Sequence, residues 1–123
     1  VYTNKELLRE ALDKYNTLIR KHPASDKIDD AAYRAAGIYE TLKDYSIALV
    51  YYQRASQWDP ENIYPARYKR AVILDEKLHR RDEAVRLYQE ALEVENLSNQ
   101  ARQYAKQRVS ELTRLDEDLE EDG

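Results

Sequence analysis

A pattern of small and aromatic residues occurs three times along the chain, and this repetition limits the possible folds more than any other feature of the sequence. Each copy has an alanine, a tyrosine, a further small or apolar residue and a loop residue: Ala11, Tyr15, Leu18, Pro23; Ala48, Tyr52, Ala55, Pro60; and Ala84, Tyr88, Ala91, Asn96. The copies are offset by 37 and then by 36 residues. A repeat of this length is typical of a solenoid, in which no unit can bury its apolar face alone.

The residues within each copy predict helices. Apolar residues recur at spacings of three, four and seven, which is the period of an amphipathic α-helix. With only two Gly and three Pro, the composition also favours long helices over strands joined by tight turns. We therefore predict an all-α fold of about six helices, at about residues 4–21, 28–43, 45–58, 62–79, 82–95 and 98–115. Thr3 and Glu6 have the spacing of a capping box at the start of the first helix.

The length of the chain fits one domain, which we place at residues 1–115. The segment 116–123 that follows carries six negative charges: Asp116, Glu117, Asp118, Glu120, Glu121 and Asp122. Because like charges at this density repel one another, we predict a disordered acidic tail. A tether that docks on a basic surface is the alternative interpretation. The sequence has no Cys, which excludes disulfides and thiolate metal ligands.

Residues 29–62 form one complete unit of the repeat. Its small, aromatic and loop positions are Ala35, Ala36, Tyr39, Tyr45, Ala48, Tyr52, Ala55, Asp59 and Pro60. In this pattern the chain resembles the tetratricopeptide repeat family over about residues 5–112. The resemblance implies a right-handed superhelical solenoid of antiparallel helix pairs. The slightly long period is similar to that of tetratricopeptide proteins of bacterial cell-envelope assembly.

The sequence departs from the family pattern at three positions. Ala32 stands where an aromatic residue is usual, and Ala36 stands where a glycine is usual. Asp75 stands where the next unit should carry a packed apolar residue. An ionised carboxylate in a core is costly unless it is paired. We therefore expect Asp75 to turn to the surface or to pair with a Lys or Arg; the alternative is that it anchors a bound peptide.

No catalytic or metal-binding constellation is present in the sequence. His22 and His79 are 57 residues apart, and each falls near the predicted end of a helix. There is no glycine-rich phosphate loop and no spacing typical of metal ligands. We therefore expect no enzyme activity, no catalytic residues, no cofactor and no metal.

The resemblance implies a concave groove lined by the first helix of each unit. The expected lining residues are Asp30, Tyr33, Gly37 and Glu40 in helix two, and Ala66, Lys69, Ile73 and Glu76 in helix four. Each set has spacings of three or four residues and so forms one stripe on an α-helix. An ordinary solvated helix face is the alternative interpretation. Some family members bind the C-terminal carboxylate of a peptide through Asn and basic residues on these stripes. Gly37 and Ile73 supply no Asn, so this mode of binding is disfavoured here.

The expected function is a non-enzymatic adaptor that binds a peptide or partner protein in this groove. The alternatives are a structural oligomerisation module and an accessory domain of a larger cell-envelope protein. Basic residues are interleaved with acidic ones, so we expect no nucleic-acid binding. No apolar run approaches the roughly 18 residues of a membrane span. The compartment stays open between cytoplasm and bacterial periplasm, since a signal or anchor upstream of Val1 is not excluded.

The first helix has a wide apolar stripe for a helix with one neighbour. Its leucines include Leu7, Leu8 and Leu12. Each large apolar side chain left in water forgoes roughly 1.5 to 3 kcal/mol of burial. We therefore expect this face to contact a second copy of the chain, a partner or further repeats.

Overall fold

A computed structural model describes the backbone of residues 3–122 and the side chains of residues 3–115. The described residues form six helices and no strand: α1 (Asn4–Lys21), α2 (Ile28–Thr41), α3 (Tyr45–Gln57), α4 (Ala66–Val72), which continues as a π-helix over Ile73–Lys77, α5 (Arg81–Val94) and α6 (Asn99–Asp122). The predicted all-α fold of paired helices is confirmed. None of the helices in residues 3–122 is long and apolar enough to cross a membrane.

The helix α4 begins later than the sequence indicates, at Ala66 rather than at 62. The residues from 62 to 65 belong to a loop that Asp59 stabilises through two hydrogen bonds. The Tyr64 amide donates to Asp59 Oδ2 at 2.9 Å, and the Asn62 amide donates to the Asp59 carbonyl at 3.1 Å. Asn62 has a φ of 54°, in the left-handed region that asparagine tolerates better than most residues. The loop therefore delays the helix until after Pro65.

The helix α6 continues to Asp122, through most of the segment for which the sequence predicts a disordered tail. The residues beyond 115 include leucine and glutamate, which are good helix formers, and no proline. The first glycine after Gly37 is Gly123, where a helix stop is expected. The helical preference of the backbone therefore extends past the repeat into the acidic residues.

The chain divides into two compact units, Val1–Ala66 and Arg67–Gly123, where its length predicted one domain. Helices of a repeat protein contact chiefly their neighbours in sequence, which makes such units locally dense. In the first unit α2 packs against both α1 and α3. Both helices bury alanines that have no exposed surface: Ala32, Ala35, Ala36, Ala48 and Ala55. Their short side chains allow the two helix backbones to approach closely.

The leucines of α1 differ in exposure. Leu12 is buried and Leu8 is half-buried, but 49% of Leu7 is exposed. The expected contact of this face with a second copy, a partner or further repeats stays a prediction. The capping box at the start of α1 is formed, because the Thr3 amide donates to Glu6 at 2.7 Å and the Glu6 amide donates to the Thr3 hydroxyl at 3.1 Å.

The second unit packs α5 against α6 and against the π-helix. Glu95, at the end of α5, is buried and accepts hydrogen bonds from the amides of Arg67 and Tyr68 at 2.7 and 3.0 Å. Those amides belong to the first turn of α4, where the helix leaves its own donors unpaired and carries partial positive charge. Burial raises the pKa of Glu95, although the two amides favour its ionised form. One buried carboxylate thus fixes where α4 begins.

The π-helix changes the register of the residues that follow Val72. Its bonds close over five residues, as in the 3.0 Å bond from the Leu78 amide to the Ile73 carbonyl. Successive side chains in this segment are therefore rotated by less than the 100° per residue of an α-helix. As a result Ile73, Leu74 and Asp75 are all buried in succession.

Candidate functional site

The four groove residues predicted on α2 lie together on one half-buried face. We call Asp30, Tyr33, Gly37 and Glu40 the α2 stripe; each of them keeps part of its surface exposed. The ring of Tyr33 is stacked on that of Tyr64, with centroids 4.8 Å apart and planes at 26°. It also meets the edge of the Tyr52 ring at 5.5 Å. The stripe is therefore backed by a cluster of three tyrosines.

Tyrosine hydroxyls hold both carboxylates of the α2 stripe. Tyr64 donates to Asp30 Oδ1 at 2.9 Å, and Tyr52 donates to Glu40 Oε1 at 2.8 Å. Burial, with a further contribution from Asp30, raises the pKa of Tyr64 to about 12. Burial and Glu40 likewise raise the pKa of Tyr52 far above its usual range. Both hydroxyls therefore stay protonated near neutral pH and orient the carboxylates without cancelling their charge.

Arg34 also contacts Asp30, at the solvent side of the stripe. Its Nε lies 2.9 and 3.1 Å from the two carboxylate oxygens of Asp30. The Arg34 side chain is 59% exposed, however, and an ion pair of this kind one helical turn apart is screened by water and salt. A competing cation can therefore replace it at small cost.

Gly37 leaves a gap in the middle of the stripe. A Cβ atom added at Gly37 would meet only the hydroxyl oxygen of Tyr52, at 3.7 Å, which is an ordinary van der Waals distance. The glycine is therefore not required by the packing of the first unit. Its effect is to leave the helix surface bare between the Tyr33 ring and the Glu40 carboxylate.

The groove residues predicted on helix four are placed differently. Ala66 has no exposed surface and Ile73 has 1%, so neither side chain is available to a partner. Ala66 and Ile73 are seven residues apart and so lie on one face of α4, and this face is buried. Lys69 is half-buried and Glu76 is exposed. Only these two of the four keep a surface that a ligand can reach.

The second unit has a surface cleft of about 670 Å³ between the π-helix and α6. Glu76 is the predicted groove residue that lines it. The Tyr104 hydroxyl donates to Glu76 at 2.9 Å, and burial together with Glu76 raises the pKa of Tyr104 to about 12. The cleft has an apolar end at Leu112 and Leu115.

Asp75 is buried at the base of this cleft and is paired with Arg108 of α6. Nε and Nη2 of Arg108 lie 2.8 Å from the two oxygens of Asp75, and the Tyr88 hydroxyl donates to it at 2.9 Å. Burial by itself raises the pKa of a carboxyl, but the bonds from Arg108 and Tyr88 outweigh it and lower the pKa of Asp75. Pairing with an arginine, one of the two outcomes expected from the sequence, is confirmed. Both oxygens are occupied, which argues against Asp75 as a peptide anchor.

Comparison with known proteins bears on the first unit. The tetratricopeptide repeat family model matches residues 29–62. Residues 29–62 are therefore similar to one tetratricopeptide repeat. In these residues α2 is the first helix, α3 is the second, and the loop with Asp59 and Pro60 follows α3. Tetratricopeptide repeats generally mediate protein–protein interactions. No curated protein matches the chain.

Sequence reasoning missed Tyr64 and Arg108 as members of these sites. Tyr64 stands 34 residues after Asp30, which is close to one repeat period. Residues about one period apart belong to neighbouring repeats, and this spacing is the signal that could have placed Tyr64 near Asp30. Arg108 lies four residues after Tyr104 and four before Leu112, on one face of α6. Tyr104 and Leu112 mark this face as apolar, but nothing in the spacing connects its arginine with Asp75.

Proposed function

We propose that this tetratricopeptide chain is a non-enzymatic adaptor that binds a basic peptide segment of a partner protein along the α2 stripe. The observation that carries the proposal is the pair of tyrosine-held carboxylates, Asp30 and Glu40, on either side of the exposed gap at Gly37. The proposal concerns the first unit alone.

Charge gives the chemical class of the ligand. The hydroxyls of Tyr64 and Tyr52 are neutral donors, so they do not cancel the charge of the carboxylates. The Tyr52 hydroxyl contacts Oε1 of Glu40 and leaves Oε2 to accept bonds. Both oxygens of Asp30 accept from the exposed Arg34, which a basic ligand would have to replace. Hydrogen bonds between a carboxylate and a Lys or Arg side chain are among the stronger polar contacts in proteins. A basic peptide is therefore favoured over an acidic one.

The shape of the α2 stripe indicates where the peptide binds. A preformed surface costs less to bind than one that must be ordered, and Tyr33 is held in place by the rings of Tyr64 and Tyr52. The bare backbone at Gly37 allows a ligand chain to lie close to α2. The exposed part of the Tyr33 ring offers an aromatic surface, on which a basic side chain is stabilised by cation–π attraction.

The experiment is a selection of random peptides on the purified chain, followed by fluorescence anisotropy with one selected peptide. Gly37→Gln fills the gap, and Ser46→Gln places the same side chain on the exposed surface of α3 as a matched control. We expect selected peptides to be rich in Lys or Arg. We also expect Gly37→Gln to weaken binding at least about tenfold, which is about 1.4 kcal/mol, with Ser46→Gln unchanged.

A second variant tests the charge separately. Glu40→Gln keeps an oxygen that can accept from Tyr52 and removes the negative charge. Affinity should fall several-fold at low salt, and the difference from the original chain should shrink as salt is raised. Acidic peptides from the selection, or equal affinity for Gly37→Gln and Ser46→Gln, would disprove the proposed site.

A further inference from the structure

We propose that a groove between α4 and α6 in the second unit binds an arginine residue of a partner protein, with the main-chain carbonyl of this arginine at one end and its guanidinium at the other. We call it the α4–α6 groove; its volume is about 320 Å³. It adjoins the cleft of about 670 Å³, and Glu76 and Tyr104 line both. The inference does not depend on peptide binding by the α2 stripe, because it rests on residues of the second unit alone.

One end of the α4–α6 groove carries negative charge. Glu76 is the only charged side chain among the described residues that line the groove. The Tyr104 hydroxyl donates to Glu76 Oε1 at 2.9 Å, which leaves Oε2 of this exposed side chain to accept bonds. Lys77, the next residue, lines the adjoining cleft and is exposed, so water and salt screen its effect on Glu76. A cation is therefore favoured at this end.

Two tyrosines line the groove, Tyr68 of α4 and Tyr104 of α6. Both rings contact that of Tyr88, with centroids 6.2 and 6.4 Å from it. Tyr88 has no exposed surface, so both rings rest on a fixed support before a ligand arrives. A guanidinium can stack on a tyrosine ring while its N–H groups bond to a carboxylate, which a lysine ammonium does less well. Arginine is therefore favoured over lysine.

The other end of the groove lies at the beginning of α6. Ser98 lines it and caps the helix, since its hydroxyl accepts from the Ala101 amide at 3.1 Å. Gln100 also lines the groove, and its side-chain amide is a donor. The first amides of a helix have no acceptor within the helix, and they carry partial positive charge. This end therefore suits a main-chain carbonyl rather than a cation.

The groove is apolar between its two ends. Val72 is four residues before Glu76 on α4, and Ala101 is three residues before Tyr104 on α6, so apolar surface precedes the charged end on both helices. Ser98 and Tyr104 are six residues apart, which corresponds to about 9 Å along α6. An extended arginine residue presents a carbonyl, an aliphatic stem and a guanidinium in this order. The order of its groups therefore matches the order of the groove.

The test is an NMR titration of the isotope-labelled full chain with the tripeptide acetyl-glycyl-arginyl-glycinamide. The same tripeptide with citrulline in place of arginine keeps the shape and loses the charge. We expect the arginine tripeptide to shift the amide signals of Gln100 and Ala101, with a dissociation constant in the millimolar range because a single residue buries little surface. The citrulline tripeptide should bind at least about tenfold more weakly.

Two variants test the role of the carboxylate. Glu76→Gln keeps an acceptor for the Tyr104 hydroxyl and removes the charge, so it should weaken binding of the arginine tripeptide several-fold. Glu93→Gln is the matched control, because it removes the same charge from an exposed position on α5, and it should leave the affinity unchanged. Equal affinity for the two tripeptides, or equal losses for the two variants, would overturn the inference.

The same spectra distinguish this site from the α2 stripe. Shift changes at Tyr33, Gly37 and Glu40 without changes at Gln100 and Ala101 would overturn the arginine site and leave the α2 stripe as proposed. Gly37→Gln should leave the changes at Gln100 and Ala101 as they are in the original chain.

Discussion

The ion pair between Asp75 and Arg108 should be a main determinant of stability in the second unit, and Arg108→Met removes it with little loss of volume. The Asp75 side chain is 4% exposed and that of Arg108 is 26% exposed. Removal of one partner from a buried pair costs about 3 to 5 kcal/mol, because the other charge remains buried without compensation. The partial exposure at Arg108 admits some water, and Tyr88 keeps its bond to Asp75. We therefore expect the lower end of the range, about 3 kcal/mol.

Urea unfolding followed by circular dichroism at 222 nm measures this cost. With a slope of about 2 kcal/mol per molar urea, 3 kcal/mol moves the midpoint down by about 1.5 M. The double variant Asp75→Leu/Arg108→Met leaves no buried charge, and its loss should be less than half that of Arg108→Met. The remaining loss is assigned to the Tyr88 hydroxyl, which then lacks its partner, and Tyr88→Phe in that background should recover most of it.

The dependence on pH provides a separate check on the same pair. The folded-state pKa of Asp75 lies below its unfolded value of about 3.9, so the pair stabilises the chain above about pH 4 and this stabilisation is lost as the pH falls through the folded pKa. In Arg108→Met burial, the Tyr88 bond and a smaller contribution from His79 remain, and we expect the pKa of Asp75 to rise above the unfolded value. Acid then protonates the buried carboxyl and stabilises the variant. The difference between the two proteins should therefore shrink from pH 7 to pH 4.

A loss below about 1 kcal/mol for Arg108→Met would refute this reasoning. So would a double variant as unstable as the single one, because the cost would then arise from lost packing rather than from an unpaired charge. The same three proteins at pH 7 and pH 4 decide between the two explanations.

Two further substitutions test the fold of each unit. Gly37→Ala should raise the free energy of unfolding by about 0.5 to 1 kcal/mol, because alanine is the better helix former and its Cβ meets only the Tyr52 hydroxyl at 3.7 Å; a lower melting temperature in thermal unfolding would show that the gap is needed for packing. Glu95→Ala should lower the free energy of unfolding in urea by about 2 to 3 kcal/mol, because the Arg67 and Tyr68 amides lose a charged acceptor. Glu95→Gln should lower it by about half as much. Equal losses for the two variants would show that the capping bonds contribute little.

The features that sequence predicts well here are those that a local pattern encodes. The alanines of the repeat, such as Ala35 and Ala48, are buried where the helical period places them, and Tyr52 and Tyr88 occupy core positions. The capping box of Thr3 and Glu6 depends on two residues three apart, and it is formed as expected. Short-range spacing and local propensity are sufficient for such features.

The features that sequence reasoning missed depend on contacts between distant residues or on a change of helical period. The sequence indicates that Asp75 needs a cation, but Arg108 is 33 residues away and no spacing rule selects it from the other basic side chains. The role of Glu95 depends on Arg67, which lies 28 residues earlier in the first turn of α4. The stripe predicted on helix four included two buried residues, Ala66 and Ile73, because no local signature shows which face of α4 is covered. The π-helix that begins at Ile73 has no local signature either.

The most direct test of the proposed function is an NMR titration of the isotope-labelled chain with one basic peptide from the selection, recorded as amide correlation spectra. We predict that the largest shift changes fall on Tyr33, Gly37 and Glu40 of α2. At the same peptide concentration, Gly37→Gln should reduce those of Tyr33 and Glu40, and Ser46→Gln should leave them unchanged. Shift changes confined to the outer face of α3 or to the cleft of the second unit would contradict the account.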